Sequence, residues 1–151
     1  MSHAFLVALQ FLTRIPVPAM SFDAKTQGQS LLFYPLVGFF IGIVTLTVAY
    51  TLSSVLPISI VALSVVAISI AITGALHLDG LADSADAWPG SHGDRQRCLD
   101  IMHDPTCGPA GVIVLVLLIL TKFAAYEHLI AQADWLAIII APLLARTAII
   151  A

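Results

Sequence analysis

Between His77 and Gly111 the chain carries six of its nine acidic residues, Asp79, Asp83, Asp86, Asp94, Asp100 and Asp104, against two arginines, Arg95 and Arg97. Asp79, Asp83 and Asp86 are spaced i, i+4, i+7, which on a helix of about 3.6 residues per turn puts all three on one face. Asp100 and Asp104 repeat the i, i+4 step. Side chains at that spacing lie about 5–6 Å apart at Cβ, and like charges there weaken a helix unless a counter-charge intervenes. Hard oxygen ligands in this pattern suit Mg²⁺, which is held by about one or two carboxylates together with substrate phosphates.

The elements that must position these carboxylates follow from the punctuation around them. Pro89-Gly90-Ser91-His92-Gly93 reads as a turn, and Asp94 is placed to cap the helix that follows it. A helical hairpin with two carboxylate rows able to face each other is therefore expected. Cys98 and Cys107 fit no paired metal spacing and read as reduced cytosolic thiols. A zinc site built from them with His103 is the alternative.

Long apolar runs flank the acidic stretch on both sides. At 151 residues, 60% hydrophobic, 10% charged and with a mean hydropathy of +1.01, the chain lies far from the soluble average of about 25% charged residues. It reads as an integral membrane protein with the lipid bilayer as partner. A net charge of −3 offers no basic footprint for nucleic acid.

Residues 1–11 are apolar but too short to span and lack a small-residue cleavage site, so they read as an interfacial helix and not a signal peptide. The prolines of Thr13-Arg14-Ile15-Pro16-Val17-Pro18 end it in an extended or turn conformation. From Thr26 to Leu78 no Asp, Glu, Lys or Arg occurs for 53 residues, room for two spans of about 20 residues. The break belongs at Leu52-Ser53-Ser54-Val55-Leu56-Pro57, giving spans over 31–52 and 58–76. In the first, Pro35, Gly38 and Gly42 form a close-packing face of the small-xxx-small kind. Residues 109–130 and 135–151 make the third and fourth spans, separated by the turn Ala131-Gln132-Ala133-Asp134.

The fold class expected is thus an all-α integral membrane protein of about four transmembrane helices, with an N-terminal interfacial helix and a cytoplasmic acidic helical hairpin, in one membrane-embedded domain over 1–151. Orientation comes from Arg14 and Lys25 before the first span and Arg95 and Arg97 between the second and third, which put the N-terminus and the hairpin in the cytoplasm. Lys122, near the middle of the third span, either faces a partner or cavity or snorkels to an interface, and Arg146 has the same ambiguity. Arg14 is either a phosphate contact or an interfacial charge.

Several of these segments, in combination and in order, carry a resemblance. Phe11-Leu12-Thr13-Arg14-Ile15-Pro16-Val17-Pro18, Tyr34-Pro35-Leu36-Val37-Gly38 and above all Gly74-Ala75-Leu76-His77-Leu78-Asp79-Gly80-Leu81-Ala82-Asp83-Ser84-Ala85-Asp86 resemble the cobalamin synthase (adenosylcobinamide-GDP ribazoletransferase) family. Leu99-Asp100-Ile101-Met102-His103-Asp104 with Gly108 and Gly111 is similar to that family's second acidic motif. The chain departs from the family pattern at Ala87, usually Gly, and at Pro105-Thr106, usually Ser-Arg. It stops at Ala151 inside an apolar run, and the family is longer, so the chain is expected to be truncated relative to it, lacking helices on which activity could depend.

The resemblance implies an enzyme of late cobalamin biosynthesis in the cell inner membrane. The 5′-hydroxyl of α-ribazole, or its 5′-phosphate, attacks the cobinamide-linked phosphorus of adenosylcobinamide-GDP and expels GMP. Such a transfer needs positioning and charge neutralisation more than covalent help. Asp79, Asp83, Asp86, Asp100 and Asp104 are the candidate ligands for Mg²⁺. His77 or Asp86 is the candidate proton acceptor, with Lys122 as a further catalytic cation, and Arg14, Gly80, Lys122 and Arg146 are candidate substrate contacts. A homo-oligomer is left open.

Other classes share parts of the pattern. A CDP-alcohol phosphotransferase shares Asp79-Gly80-Leu81-Ala82 but wants Arg at position 83. A UbiA-type membrane prenyltransferase also holds Mg²⁺-diphosphate on paired Asp-x-x-x-Asp motifs, a spacing that Asp79/Asp83 and Asp100/Asp104 satisfy. A divalent-cation transporter would need its ionisable residues at membrane depth, whereas these lie in a loop between spans.

Overall fold

A computed structural model describes residues 2–17, 23–104 and 106–150. Pro18, Pro105 and Ala151, named above, lie outside the described residues. The chain divides into two compact units, Met1–Gly74 with Ala124–Ala151, and Ala75–Phe123. Among the described residues all regular structure is helical.

In the first unit the long apolar run after Asp23 supplies the element on which the others pack. Asp23 caps α2 (Ala24–Ser30) by accepting from the Thr26 N–H at 3.2 Å. A 3-10 turn over Leu31–Phe33 leads into α3 (Tyr34–Leu52). Pro35 falls in the first turn of α3, where a missing N–H leaves no bond unmade. Tyr34, Val37, Gly38, Ile41, Gly42, Thr45 and Ala49 form its buried stripe, while Leu36, Phe39, Phe40, Ile43 and Tyr50 stay exposed. A helix apolar all round suits lipid on the sides that protein does not cover.

Helix α1 (Ser2–Leu12) lays Ala8 and Leu12 against Tyr34, Val37 and Ile41 of α3. Its end is fixed by Thr13, whose hydroxyl donates to the Leu9 carbonyl at 2.7 Å, and by the Arg14 N–H, which donates to the Ile72 carbonyl at 2.7 Å. Helix α4 (Ile58–Thr73) buries Val61, Ala62, Val65 and Val66. The closest packing is between α3 and α8 (Trp135–Ala148). A Cβ on Gly38 would lie 2.6 Å from the Pro142 carbonyl oxygen, and one on Gly42 would lie 2.5 Å from that of Ile139. The small-residue face expected at Gly38 and Gly42 is therefore the seat of α8.

Of the four spans expected, length and apolarity mark two or three among the described residues. Two helical stretches, Lys25–Leu52 and Pro109–Ala131, are long and apolar enough to cross a membrane, or three if Ile58–Thr73 and Leu76–Ser91 together make one broken span. Helix α4 has 16 residues and α8 has 14, so they rise about 24 and 21 Å against a hydrocarbon core of about 30 Å. The second apolar run does not continue to Leu76 because Gly74 (φ 64°) and Ala75 (φ 59°) are both left-handed. Glycine takes that conformation without a Cβ penalty, as helix ends commonly require.

The second unit contains α5 (Leu76–Ser91), α6 (Arg95–Met102) and the first part of α7 (Pro109–Ala131). Helices α5 and α6 pack on one another, but the reversal between them is shorter than expected. Pro89 lies inside α5, and the chain turns at His92 (φ 49°) and Gly93 (φ 85°). A proline in the last turn removes a single ladder bond, so the helix carries on past it. Asp94 caps α6 as anticipated, accepting from the Gln96 N–H at 2.9 Å and the Arg97 N–H at 3.4 Å.

Candidate active site

The carboxylate row of α5 is held by the element that follows α6. Asp86 reaches across to the start of α7, where its two oxygens accept the Gly108 N–H and the Gly111 N–H, each at 2.8 Å. These amides belong to the first turn of a helix and have no partner within it, and the helix end carries a partial positive charge. An ionised carboxylate is the group that satisfies both conditions, and bonds of this type are worth about 1.5–3 kcal/mol each. The fit is close. A Cβ on Gly108 would meet Asp86 Oδ1 at 2.5 Å, and one on Gly111 would overlap Asp86 Oδ2 and lie 3.0 Å from the Ala82 carbonyl oxygen. Glycine at both positions lets the backbone of α7 come down onto α5.

Cys107 sits beside this contact, its S–H 3.8 Å from Asp86 Oδ2. Partial desolvation, then the negative charges of Asp86, Asp83 and Asp79, hold its thiol above the usual range. The i, i+4, i+7 spacing on α5 puts the three carboxylates on one side of that helix. Asp79 is exposed and Asp83 half-buried. Among the described residues neither side chain enters a hydrogen bond or ion pair. Beside them Gly80 is exposed, and a Cβ added to it would meet nothing within 4 Å.

The remaining candidates are elsewhere. Asp100 accepts from its own helix, from Gln96 Nε2 at 3.1 Å. Asp104 accepts from the Thr106 hydroxyl at 2.6 Å and the Thr106 N–H at 2.9 Å, bonds that lower its pKa below the usual carboxylate value. No group of three His, Cys, Asp or Glu side chains placed to hold a metal occurs among the described residues, so the second row does not close a cage on the first, and Cys98, Cys107 and His103 do not converge. His77 is exposed in the first turn of α5. Two residues before Asp79, it projects about 200° round the helix, away from the row. Lys122 is exposed on α7, about 16 Å of helical rise beyond Gly111.

Arg14 and Arg146 belong to the other unit. The stem of Arg14 lies over Gly74, where a Cβ would overlap its Cγ and Nε. Arg146 is half-buried with its Cβ against Gly38, and among the described residues its buried Nε has no hydrogen-bond partner.

Two open carboxylates one turn apart fit Mg²⁺ as it is commonly held, by one or two carboxylates with phosphate oxygens completing the sphere. What sequence reasoning missed is the part played by Gly108 and Gly111. Their signal was a pair of glycines bracketing Pro109 at a helix start, but their partner lies 22 and 25 residues earlier.

Apolar helices of membrane-crossing length, followed in the chain by an acidic helical face, are those of a membrane protein. Residues 4–151 match the sequence profile described as Cobalamin-5-phosphate synthase, and the chain belongs to that family. Curated relatives bear the name adenosylcobinamide-GDP ribazoletransferase. That of Stutzerimonas stutzeri (strain A1501) is 49% identical over 97% of this chain and 60% of its own length. Those of Pseudomonas aeruginosa (strain UCBPP-PA14) and Acinetobacter baumannii are each 48% identical, over 97% and 94% of this chain and 60% and 58% of their own lengths. The chain thus spans about 60% of the length of the curated relatives it matches. No solved structure matches it.

Proposed function

We propose that this chain carries the carboxylate site of an Mg²⁺-dependent membrane transferase that joins adenosylcobinamide-GDP to α-ribazole, or to its 5′-phosphate, releasing GMP. The observation that carries the reading is the pair Asp79 and Asp83, open and one turn apart on a face of α5 that Asp86 fixes to the start of α7. Family membership and the relatives' names supply the substrate class.

In this reading Asp79 and Asp83 hold Mg²⁺ against the diphosphate of adenosylcobinamide-GDP. Bound there, the ion neutralises charge on the phosphoryl oxygens and on the departing GMP. The open surface at Gly80 leaves room for the diphosphate to approach the helix. A ribose hydroxyl oxygen that is free in both α-ribazole and its 5′-phosphate forms the new bond to the cobinamide-linked phosphorus, the bond from that phosphorus to the bridging oxygen breaks, and GMP leaves with that oxygen. The hydroxyl proton passes to Asp79 or Asp83, because a base must lie within hydrogen-bond reach, His77 stands on the far side of α5 and both oxygens of Asp86 are taken. In this reading the protein lies in the inner membrane with α5 and α6 toward the cytoplasm, an orientation supported by the positions of Arg14, Lys25, Arg95 and Arg97, and on that side nucleotide and Mg²⁺ are at hand.

Membranes containing the full-length enzyme should release GMP from adenosylcobinamide-GDP only when α-ribazole or its phosphate and Mg²⁺ are both present. Release of pyrophosphate from a prenyl diphosphate, with no GMP formed, would replace this reading with a prenyltransferase.

A further inference from the structure

Asp86 has the spacing of a third metal ligand, but its surroundings give it other work. Both of its oxygens face backbone N–H groups of one helix start, Gly108 at 2.8 Å and Gly111 at 2.8 Å. The Cys107 thiol closes on the same carboxylate at 3.8 Å. The nearest atoms to a Cβ on Gly108 are all three from this one side chain, Oδ1 at 2.5, Cγ at 2.9 and Oδ2 at 3.2 Å. Asp79 and Asp83 have no such seat. The three carboxylates share a face of α5, yet among the described residues one of them, Asp86, is committed to backbone amides.

We propose that Asp86 is a positioning residue, a helix cap supplied from another helix, which locks the start of α7 onto α5 and so fixes the surface on which Asp79 and Asp83 take the cation. The row is divided: two carboxylates for the metal and one for the fold. Three like charges along one face would repel, and the positive end of α7 relieves the third. Both of its oxygens are already taken by backbone N–H groups, so it holds the first turn of α7 whether or not Mg²⁺ is bound. Gly108 and Gly111 are part of the same device, since each leaves the space that the carboxylate fills.

The proposal rests on the reading of α5 as the cation-holding face, and the test separates the two. Amide hydrogen exchange is followed in the nanodisc-embedded protein without Mg²⁺. Asp86→Asn should speed exchange at Gly108 and Gly111 by about tenfold or more, the scale of a lost charge-assisted bond, whereas Asp79→Asn and Asp83→Asn should leave it unchanged. A second comparison stands even if one variant folds poorly. Gly108→Ala should lower the unfolding midpoint in the native background, and it should lower it much less in an Asp86→Ala background, where the carboxylate no longer occupies the space. The Mg²⁺ concentration for half-maximal GMP release should rise for Asp79→Asn and Asp83→Asn and stay put for Asp86→Asn, which loses maximal rate instead. Unchanged exchange in Asp86→Asn, additive effects of Gly108→Ala and Asp86→Ala, or an Mg²⁺ requirement that rises as steeply for Asp86→Asn as for Asp79→Asn would each overturn the clamp. A protein that shows the exchange pattern but releases no GMP would keep the clamp and remove the functional reading.

Discussion

A carboxylate set against two backbone amides differs chemically from one facing water, and along α5 that difference sorts three residues with the same side chain. Their common face was legible from spacing alone, and so was the cap at Asp94, because both are local. Asp86's partners were not, since they depend on which helix start folds back onto α5. The same contact governs Cys107. Desolvation and then the charge of Asp86 raise its pKa, so little thiolate is present at pH 8 and alkylation there should be slow. Asp86→Asn removes a negative charge next to the sulfur, which lowers the thiol pKa. The rate of maleimide labelling should then rise about threefold for each half unit of that fall, read by mass of the Cys107 peptide. A slower reaction in the variant would contradict the assigned contact.

At the scale of elements, the close-packing face of α3 was readable, and its partner α8 and the helix ends were not. Gly38 and Gly42 announced a close approach through their spacing, and the approach is there, on the Pro142 and Ile139 carbonyls. Gly42→Ala should cost about 1–3 kcal/mol, as overpacking of a filled contact does, measured by unfolding in mixed micelles. Gly28→Ala, on α2 with nothing near its Cβ, is the matching control and should stabilise by about 0.5–1 kcal/mol, the ordinary helix preference for alanine. Equal responses at the two glycines would deny the α3–α8 packing. Apolar length misled where backbone conformation intervened. Hydropathy carries no mark for the left-handed pair Gly74-Ala75, which ends α4 at 16 residues, and Pro89 looked like a turn although the last turn of α5 accommodates it.

For the whole molecule, composition points to a membrane and family membership supports the chemistry proposed, while the arrangement of spans rests on charge placement. A cysteine label at Ser91, at the end of α5, and another at Ser54, between α3 and α4, should show opposite accessibility in intact cells, with Ser91 protected from outside as the Lys/Arg distribution requires. Labelling of Ser91 from the outer face would reverse the orientation and separate the site from cytosolic nucleotide. The site also makes a demand that neither helix count nor orientation can supply, namely that the open carboxylates of α5 hold the cation. The most direct measurement is Mg²⁺-dependent GMP release from adenosylcobinamide-GDP by the full-length enzyme carrying Asp79→Asn or Asp83→Asn. Each variant should insert and fold normally and lose about 10²-fold or more of its turnover, the scale seen when one charge-stabilising group is removed from an active site. Near-normal turnover in both would contradict the account.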